Sequence, residues 1–257
     1  MKINVLVDNH ASRDYSSEWG LSFFIESSKK ILFDFGSSNM FMENAKKLGV
    51  DISSLDYLVL SHGHWDHGNG LEYMTNKKLI CHPDVFIKRY RKNREYIGLP
   101  FSIKEAEKRF DLILSRGPFK IDENIVFLGQ IPKIVEFESK DTNFIKEDGS
   151  KDFVMDDSAL VFNTKKGLVI ITGCAHSGIC NIIEYSRQIT GVSKIYAVIG
   201  GFHLKGNDEL TTKTINYLKK LDIDIIRTSH CTKFDALVEF YNVFKCKPFA
   251  SGSIIEL

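Results

Sequence analysis

Residues 55–70, "LDYLVLSHGHWDHGNG", join an apolar run to a cluster of histidines and an aspartate. The first six residues are mostly apolar and predict a buried strand, and four potential metal ligands follow within the next seven positions. Three glycines in the same stretch let the backbone turn tightly around an ion. Imidazole and carboxylate together suit zinc, iron or manganese, so the stretch predicts a metal site. The four candidate ligands are His62, His64, Asp66 and His67.

One such loop can supply two adjacent metal ions. His62 and His64 are two residues apart, so an extended chain directs both side chains to one side. Asp66 and His67 come after the turn and can face a neighbouring site. Each metal still needs ligands from elsewhere in the chain.

Three further histidines follow predicted strands. They end the segments "GLVIITGCAH", "YAVIGGFH" and "DIIRTSH", as His176, His203 and His230. In α/β sheets, ligands gather beyond the carboxyl ends of the strands, so we expect these histidines near the loop. His10 and His82 lack such a context and are interpreted as structural.

Composition excludes several classes of protein. The chain has 257 residues, 43% hydrophobic and 26% charged, with a net charge of +1. That composition is ordinary for a globular protein, and the charge gives no general attraction to nucleic acid or anionic membrane. We expect a cytoplasmic protein with a small-molecule partner, because no signal peptide or apolar run of 18 residues occurs. The five cysteines form no C-x-x-C pair and indicate a reducing compartment.

Alternating strand and helix patterns predict one layered α/β domain over residues 1–257. Among these patterns, "SNMFMENAKKLGV" (38–50) predicts a helix and "SALVFNTKKGLVIITG" (158–173) predicts a hairpin. Two regular halves flank a looser segment from about Asp84 to Asp157, which we interpret as an insertion that caps the site. Within it, "DVFIKRYRKNREY" (84–96) predicts a basic amphipathic helix, and "KDTNFIKEDGSKD" (140–152) predicts a mobile loop. The helix either presents Arg89, Arg91 and Arg94 to an anionic substrate or is a solvated face. Ser177 and Gly178 begin a predicted helix whose free N–H groups could bind phosphate.

H-x-H-x-D-H after an apolar strand resembles the signature of the metallo-β-lactamase superfamily. "LFDFG" (32–36) resembles its first motif, which implies that Asp34 hydrogen-bonds the metal loop. "DDSALVFNTKKGLVIITGCAHSGICN" (156–181), "IGGFHL" and "SHCT" are similar to the group named after the archaeal 7,8-dihydropterin-6-methyl-4-(β-D-ribofuranosyl)aminobenzene-5′-phosphate synthase. The resemblance implies a four-layer αββα sandwich with metals at one sheet edge.

The resemblance also implies two ligand sets. Site one takes His62, His64 and a third histidine, and site two takes Asp66, His67 and His230. The sequence departs from the superfamily in two places. No histidine lies between His82 and His176, so we assign the third ligand to His176. Cys174 replaces the usual bridging aspartate and either binds metal as a thiolate or packs in the core. The site could therefore bind one ion or two.

These residues favour hydrolysis. A bound cation can lower the pKa of water and supply hydroxide at neutral pH. We expect a zinc-dependent hydrolase, with manganese or iron as alternatives, acting on a small anionic, phosphorylated substrate. Asp66 would hold or deprotonate the nucleophile, and His203 would act as a general acid, bind a substrate anion or only support the site. A transferase that releases pyrophosphate from a pterin diphosphate, and a non-catalytic metal-binding protein, are the alternatives.

Overall fold

Short runs rich in Val, Ile, Leu and Phe form the strands, because such residues pack well on a buried pleated surface. The computed structural model describes all residues, Met1–Leu257. The strands are β1 Lys2–Val7, β2 Ser22–Glu26, β3 Lys30–Phe33, β4 Tyr57–Val59, β5 Lys78–Cys81, β6 Arg89–Arg91, β7 Asp111–Leu114, β8 Phe119–Lys120, β9 Ile125–Phe127, β10 Phe144–Lys146, β11 Ala159–Thr164, β12 Gly167–Thr172, β13 Ile195–Gly200, β14 Ile225–Thr228 and β15 Ile254–Glu256.

Helix ends follow local signals in the sequence. Gly49 ends the first helix in the left-handed conformation (φ 69°), where a residue without a Cβ is favoured. Asp208 begins the fifth helix by accepting a hydrogen bond from the Thr211 amide at 2.8 Å. None of the helices is long and apolar enough to cross a membrane. The helices are α1 Met40–Leu48, α2 Trp65–Gly68, α3 Ile103–Arg109, α4 Ile179–Thr190, α5 Glu209–Leu218 and α6 Phe234–Phe244.

The first of two compact units contains residues 1–115, 143–152 and 249–257. Its seven strands run in the order β15-β1-β2-β3-β4-β5-β7, and β3, β4, β5 and β7 are parallel neighbours. An apolar core on this sheet includes Phe35 and Phe41, and it packs α1 against the strands. The parallel arrangement places the ends of β3 and β4, and the residues that follow them, at one edge of the sheet.

The second unit contains residues 116–142 and 153–248. Its six strands run in the order β14-β13-β12-β11-β9-β8. The predicted hairpin over 158–173 is confirmed, since β11 pairs with β12 in antiparallel register. β12, β13 and β14 are parallel neighbours, and α4, α5 and α6 contribute to the core on this sheet through residues such as Ile182, Ile215 and Phe240.

The segment from Asp84 to Asp157 is not a single insertion. β7 extends the seven-stranded sheet of the first unit, and β8 and β9 belong to the six-stranded sheet of the second. The expected loop over 140–152 instead contains β10, which pairs with β6 in a small two-stranded sheet. The strands in this segment are only two to four residues long, which explains why their pattern looked irregular in the sequence.

The predicted basic helix over 84–96 is wrong. Residues Pro83–Phe86 form a 3₁₀ turn and Arg89–Arg91 form a strand. Arg89 is fully buried, with its Nε 3.5 Å from the Asp152 carboxylate and its Nη2 donating to the Asp84 carbonyl at 2.9 Å. Because a buried guanidinium needs such partners, pairing with the distant 144–152 segment overrides the helical charge pattern.

Candidate metal centre

Asp34 holds the histidine loop of the first unit in place. It follows β3 directly and is fully buried, with a left-handed φ of 57°. Its carboxylate accepts from the Ser61 amide and hydroxyl, both at 2.7 Å, and from His67 Nδ1 at 2.7 Å. The contact with Nδ1 leaves His67 Nε2 as the nitrogen available to a metal. Asp34 therefore makes the contacts that the resemblance implied.

His62 and His64 converge in the same loop. The Ser61 hydroxyl lies 2.9 Å from His62 Nδ1, and His62 Nε2 lies 3.0 Å from His64 Nδ1. The rings of His62 and His67 are also close, with centroids 4.2 Å apart. All three histidines are buried. Their ring nitrogens are thus concentrated in a small volume, as binding to a shared or adjacent cation requires.

Asp66 completes the donors of this unit. Its Oδ2 lies 3.8 Å from His67 Nε2. Burial raises the pKa of Asp66, while the charge of His67 and a hydrogen bond from Trp19 act in the opposite direction. Trp19 is a site residue that sequence reasoning missed. It lies 47 residues before Asp66 in the chain, and only the fold shows that they meet.

The second unit carries its candidate ligands at three neighbouring strand ends. Cys174 follows β12, His203 follows β13 and His230 follows β14. Because these strands are parallel neighbours, the residues that follow them meet at one edge of the sheet. His176 shares the turn with Cys174, and its ring centroid lies 4.2 Å from that of His203. The structure therefore brings the predicted ligand His176 and the predicted acid His203 together.

The backbone at these strand ends is strained. Ala175, His203 and His230 have φ values of 55°, 49° and 56°, in the left-handed region that residues with a Cβ rarely adopt. Such conformations persist only where surrounding contacts enforce them, and they cluster at functional sites. The strand-end turns of this unit are thus shaped to direct particular side chains.

Cys231 is a second residue that sequence reasoning left without a role. Its Sγ, the Cys174 Sγ and a His203 ring nitrogen all lie within 4.8 Å of one another. The His203 amide donates to the Cys231 Sγ at 3.3 Å. Burial raises the pKa of this thiol, but hydrogen bonds with Cys174 and His203 outweigh burial and lower the pKa to about 5. The visible signal was the "SHCT" segment, which places a thiol beside a candidate ligand.

The donor set fits a transition metal. Neutral imidazoles, a carboxylate and thiolates are the ligands that zinc and its neighbours prefer, and Asp34 and Ser61 already orient two of the rings. The residues that could hold an ion are His62, His64, Asp66 and His67 in the first unit, and Cys174, His176, His203, His230 and Cys231 in the second.

The predicted phosphate site at Ser177 and Gly178 is wrong, because the protein fills this helix end itself. The Cys180 and Asn181 amides donate to the buried Glu138 carboxylate at 3.0 and 2.7 Å. The Ser177 amide donates to Asp157 at 2.9 Å. A Cβ at Gly178 would lie 2.2 Å from Glu138 Oε2, so this position (φ 97°) needs glycine.

The three arginines do not form a common exposed face. Arg89 is buried and ion-paired, which removes it from any solvent-facing anion site. Arg91 pairs with Glu95 at 3.1 Å, and Arg94 is exposed in a turn with φ 68°. A substrate role for Arg91 and Arg94 stays a prediction.

Comparisons with known proteins agree on the class. The profile described as the metallo-beta-lactamase superfamily matches residues 20–83. The chain is 40% identical over 247 residues to an uncharacterized protein of Methanocaldococcus jannaschii, covering 92% of this chain and 93% of that one. A crystal structure of a metal-dependent hydrolase of the β-lactamase superfamily is 31% identical, with a TM-score of 0.88, over 100% of this chain and 99% of the other.

The chain belongs to the metallo-β-lactamase superfamily, and the predicted fold class is confirmed. Within that superfamily its family includes the 7,8-dihydropterin-6-methyl-4-(β-D-ribofuranosyl)-aminobenzene-5′-phosphate synthase of Methanocaldococcus jannaschii. The two are 35% identical over 270 residues, covering 95% of this chain and 92% of the synthase. The fold implies divalent metal binding, and the histidine and cysteine donors described above are candidates for it.

Proposed function

We propose that the protein is a metal-dependent hydrolase of a small anionic, phosphorylated substrate. The observation that carries the proposal is the oriented histidine loop, in which Asp34 and Ser61 fix His67 and His62 while the ring nitrogens of His62 and His64 lie 3.0 Å apart. A purely structural loop would not need buried, converging imidazoles whose other nitrogens are held by hydrogen bonds.

The proposed metal ligands are the imidazole and carboxylate donors of the histidine loop and the histidines that follow strands of the second unit. Zinc is the first candidate ion, with manganese and iron as alternatives. An ion bound there supplies Lewis acidity and a water molecule of lowered pKa. The proposed ligands are His62, His64, Asp66, His67, His176 and His230, with Cys174 as an additional thiolate donor.

The chain's own residues handle protons and orientation. Asp34 keeps the His67 ring in one tautomer, so its Nε2 stays a ligand. Asp66 is buried and accepts a hydrogen bond from Trp19, which holds the carboxylate in position to accept a proton from the nucleophile. We assign to His203, whose ring centroid lies 4.2 Å from that of His176, the role of protonating a leaving group or binding a substrate anion.

The test begins with metal content. Protein purified without chelator should contain zinc, manganese or iron by elemental analysis, or should take it up on reconstitution. A screen of phosphomonoesters, phosphodiesters, lactones and thioesters should then show turnover that chelation removes and metal restores. A chain that binds metal but turns over none of these classes would favour a non-catalytic role, and one that cannot be loaded contradicts the proposal.

A second candidate function is a pterin-diphosphate transferase. It is favoured by the synthase relative, which matches 95% of this chain. In that reaction an arylamine displaces pyrophosphate, so bound metal would stabilise the leaving group. Pyrophosphate release that needs both a pterin diphosphate and an arylamine would identify it.

We also propose a cytoplasmic location, because the five cysteines form no disulfide, as is usual in a reducing compartment.

A further inference from the structure

A cavity of about 370 Å³ lies within the second unit. His176 and His203, whose rings are stacked at a tilt 4.2 Å apart, contribute to its lining. The volume is in the range of sites for small molecules. The other lining residues are 137–141, Ala175, Gly178, Phe202, Leu204, Lys205, Asp208 and Leu210.

The wall made by residues 137–141 is fastened to α4. Asn181 Oδ1 accepts from the Ile134 and Val135 amides at 2.7 and 2.6 Å. Glu138 accepts from the first turn of the same helix. Lys133 Nζ donates to the Ser139 carbonyl at 3.0 Å. These contacts hold the segment in one conformation, so the cavity has a built wall.

The charged side chains of the cavity lining differ in their exposure and in their contacts within the protein. Of the lining carboxylates, Glu138 is buried and accepts hydrogen bonds from α4 amides, whereas Asp208 is exposed and caps α5. Lys140 and Lys205 are exposed and make no hydrogen bond or ion pair within the protein. Asp141 is the remaining exposed carboxylate of the lining. Two exposed lysines therefore share the lining with two exposed carboxylates, and the charge of Asp208 is partly offset by the α5 N-terminus that it caps.

We propose that this cavity is the substrate pocket and that Lys140 and Lys205 select an anionic group. The inference rests on the proposed function and gives it a substrate class: a phosphorylated molecule with an apolar body. Phe137, Phe202 and Leu204 supply apolar lining for that body. The lysines bind the anion by charge-assisted hydrogen bonds. The lining histidines place the ligand beside the proposed metal ligand His176.

The test uses inorganic pyrophosphate as the probe and calorimetry on the full chain. The double variant Lys140→Gln/Lys205→Gln should raise the Kd for pyrophosphate by about tenfold, as expected for two partly exposed charge contacts. The opposite change, Asp141→Asn, should lower that Kd. The matched control is Lys165→Gln/Lys220→Gln, which removes the same charge from exposed positions of the same unit outside the cavity.

Metal content, measured on every sample, separates this proposal from the proposed function. If the cavity variant keeps its metal and its Kd matches that of the wild type or the control variant, the pocket assignment is overturned. Residues of a single unit form the cavity, so the same Kd values can also be compared on protein from which a chelator has removed the metal. A chain that never binds metal but loses pyrophosphate affinity only in the cavity variant supports the pocket while contradicting the hydrolase.

Discussion

The histidine loop of the first unit and the strand ends of the second solve the same problem in different ways. The loop concentrates four ligands within six residues, His62 to His67. The second unit places Cys174, His203 and His230 after three separate strands that meet only through the parallel order of the sheet. The first set is encoded locally, whereas the second exists only once the sheet has formed.

The two sets also differ in what holds them. Hydrogen bonds that the Asp34 carboxylate accepts, and the contact of the Ser61 hydroxyl with His62, fix the loop. Left-handed backbone at Ala175, His203 and His230 fixes the strand ends. Metal binding by the loop ligands should therefore be most sensitive to loss of a hydrogen-bonding side chain. Metal binding by the strand-end ligands should be most sensitive to changes in the turns.

The largest effect is expected from His64→Ala. We expect loss of most bound metal and of all activity, because this ring nitrogen lies 3.0 Å from that of His62 within the ligand cluster. The apolar core of the first unit is separate from this side chain, so circular dichroism should be unchanged. Elemental analysis and the dichroism spectrum are the measurements. Wild-type metal stoichiometry in this variant would show that His64 is not a ligand.

The strand ends are tested by a pair of variants. His176→Ala should lower metal content, whereas His203→Ala should keep the metal and lower turnover. The reason is that His176 shares its turn with Cys174, while His203 lies one strand further along in a position suited to substrate. Metal analysis and kcat on the same samples decide. If instead His203→Ala loses metal and His176→Ala keeps it, the two roles are exchanged. The metal would then be bound by His203 together with Cys174 and Cys231.

Sequence reasoning found what is local or periodic. The histidine loop, α1 and the β11–β12 hairpin all follow from residues close together in the chain, and each is present. Contacts between residues that are far apart in the chain could not be predicted from local patterns. The pairing of Arg89 with Asp152 and the filling of the α4 end by Glu138 depend on segments that are far apart in sequence. The charge pattern of residues 84–96 favoured an exposed helix, and the N–H groups expected at the start of α4 favoured a phosphate site.

A smaller effect is expected from Asp34→Asn. An amide can keep the contact with the Ser61 amide but binds the His67 ring nitrogen less well, so the ring loses its fixed tautomer. Metal affinity should fall by about 10–100-fold, the usual cost of losing a carboxylate behind a metal-binding histidine. Competition with a chromogenic chelator gives the affinity. The exposed Asp14→Asn variant is the control, and equal affinities in the two would contradict the role of Asp34.

The smallest effect concerns the buried carboxylate of the second unit. Burial raises the pKa of Glu138 above its ordinary value of 4.5, although the Cys180 and Asn181 amides act against the shift. A carboxyl with a raised pKa in the folded state contributes stability that is fully present below pH 4.5 and is lost as the pH rises through the folded pKa. Glu138→Gln cannot ionise and lacks this dependence.

The free energy of unfolding of the wild type, minus that of Glu138→Gln, should therefore decrease as the pH rises from 4 to 7. The decrease should be on the order of 1 kcal/mol, since a tenfold change in proton affinity corresponds to about 1.4 kcal/mol. Urea unfolding followed by circular dichroism at several pH values measures it. Glu136→Gln, an exposed change on the same segment, should give a difference that does not vary with pH. A difference for Glu138→Gln that stays level or increases with pH would mean that the α4 amides, and not burial, dominate the pKa of this carboxylate.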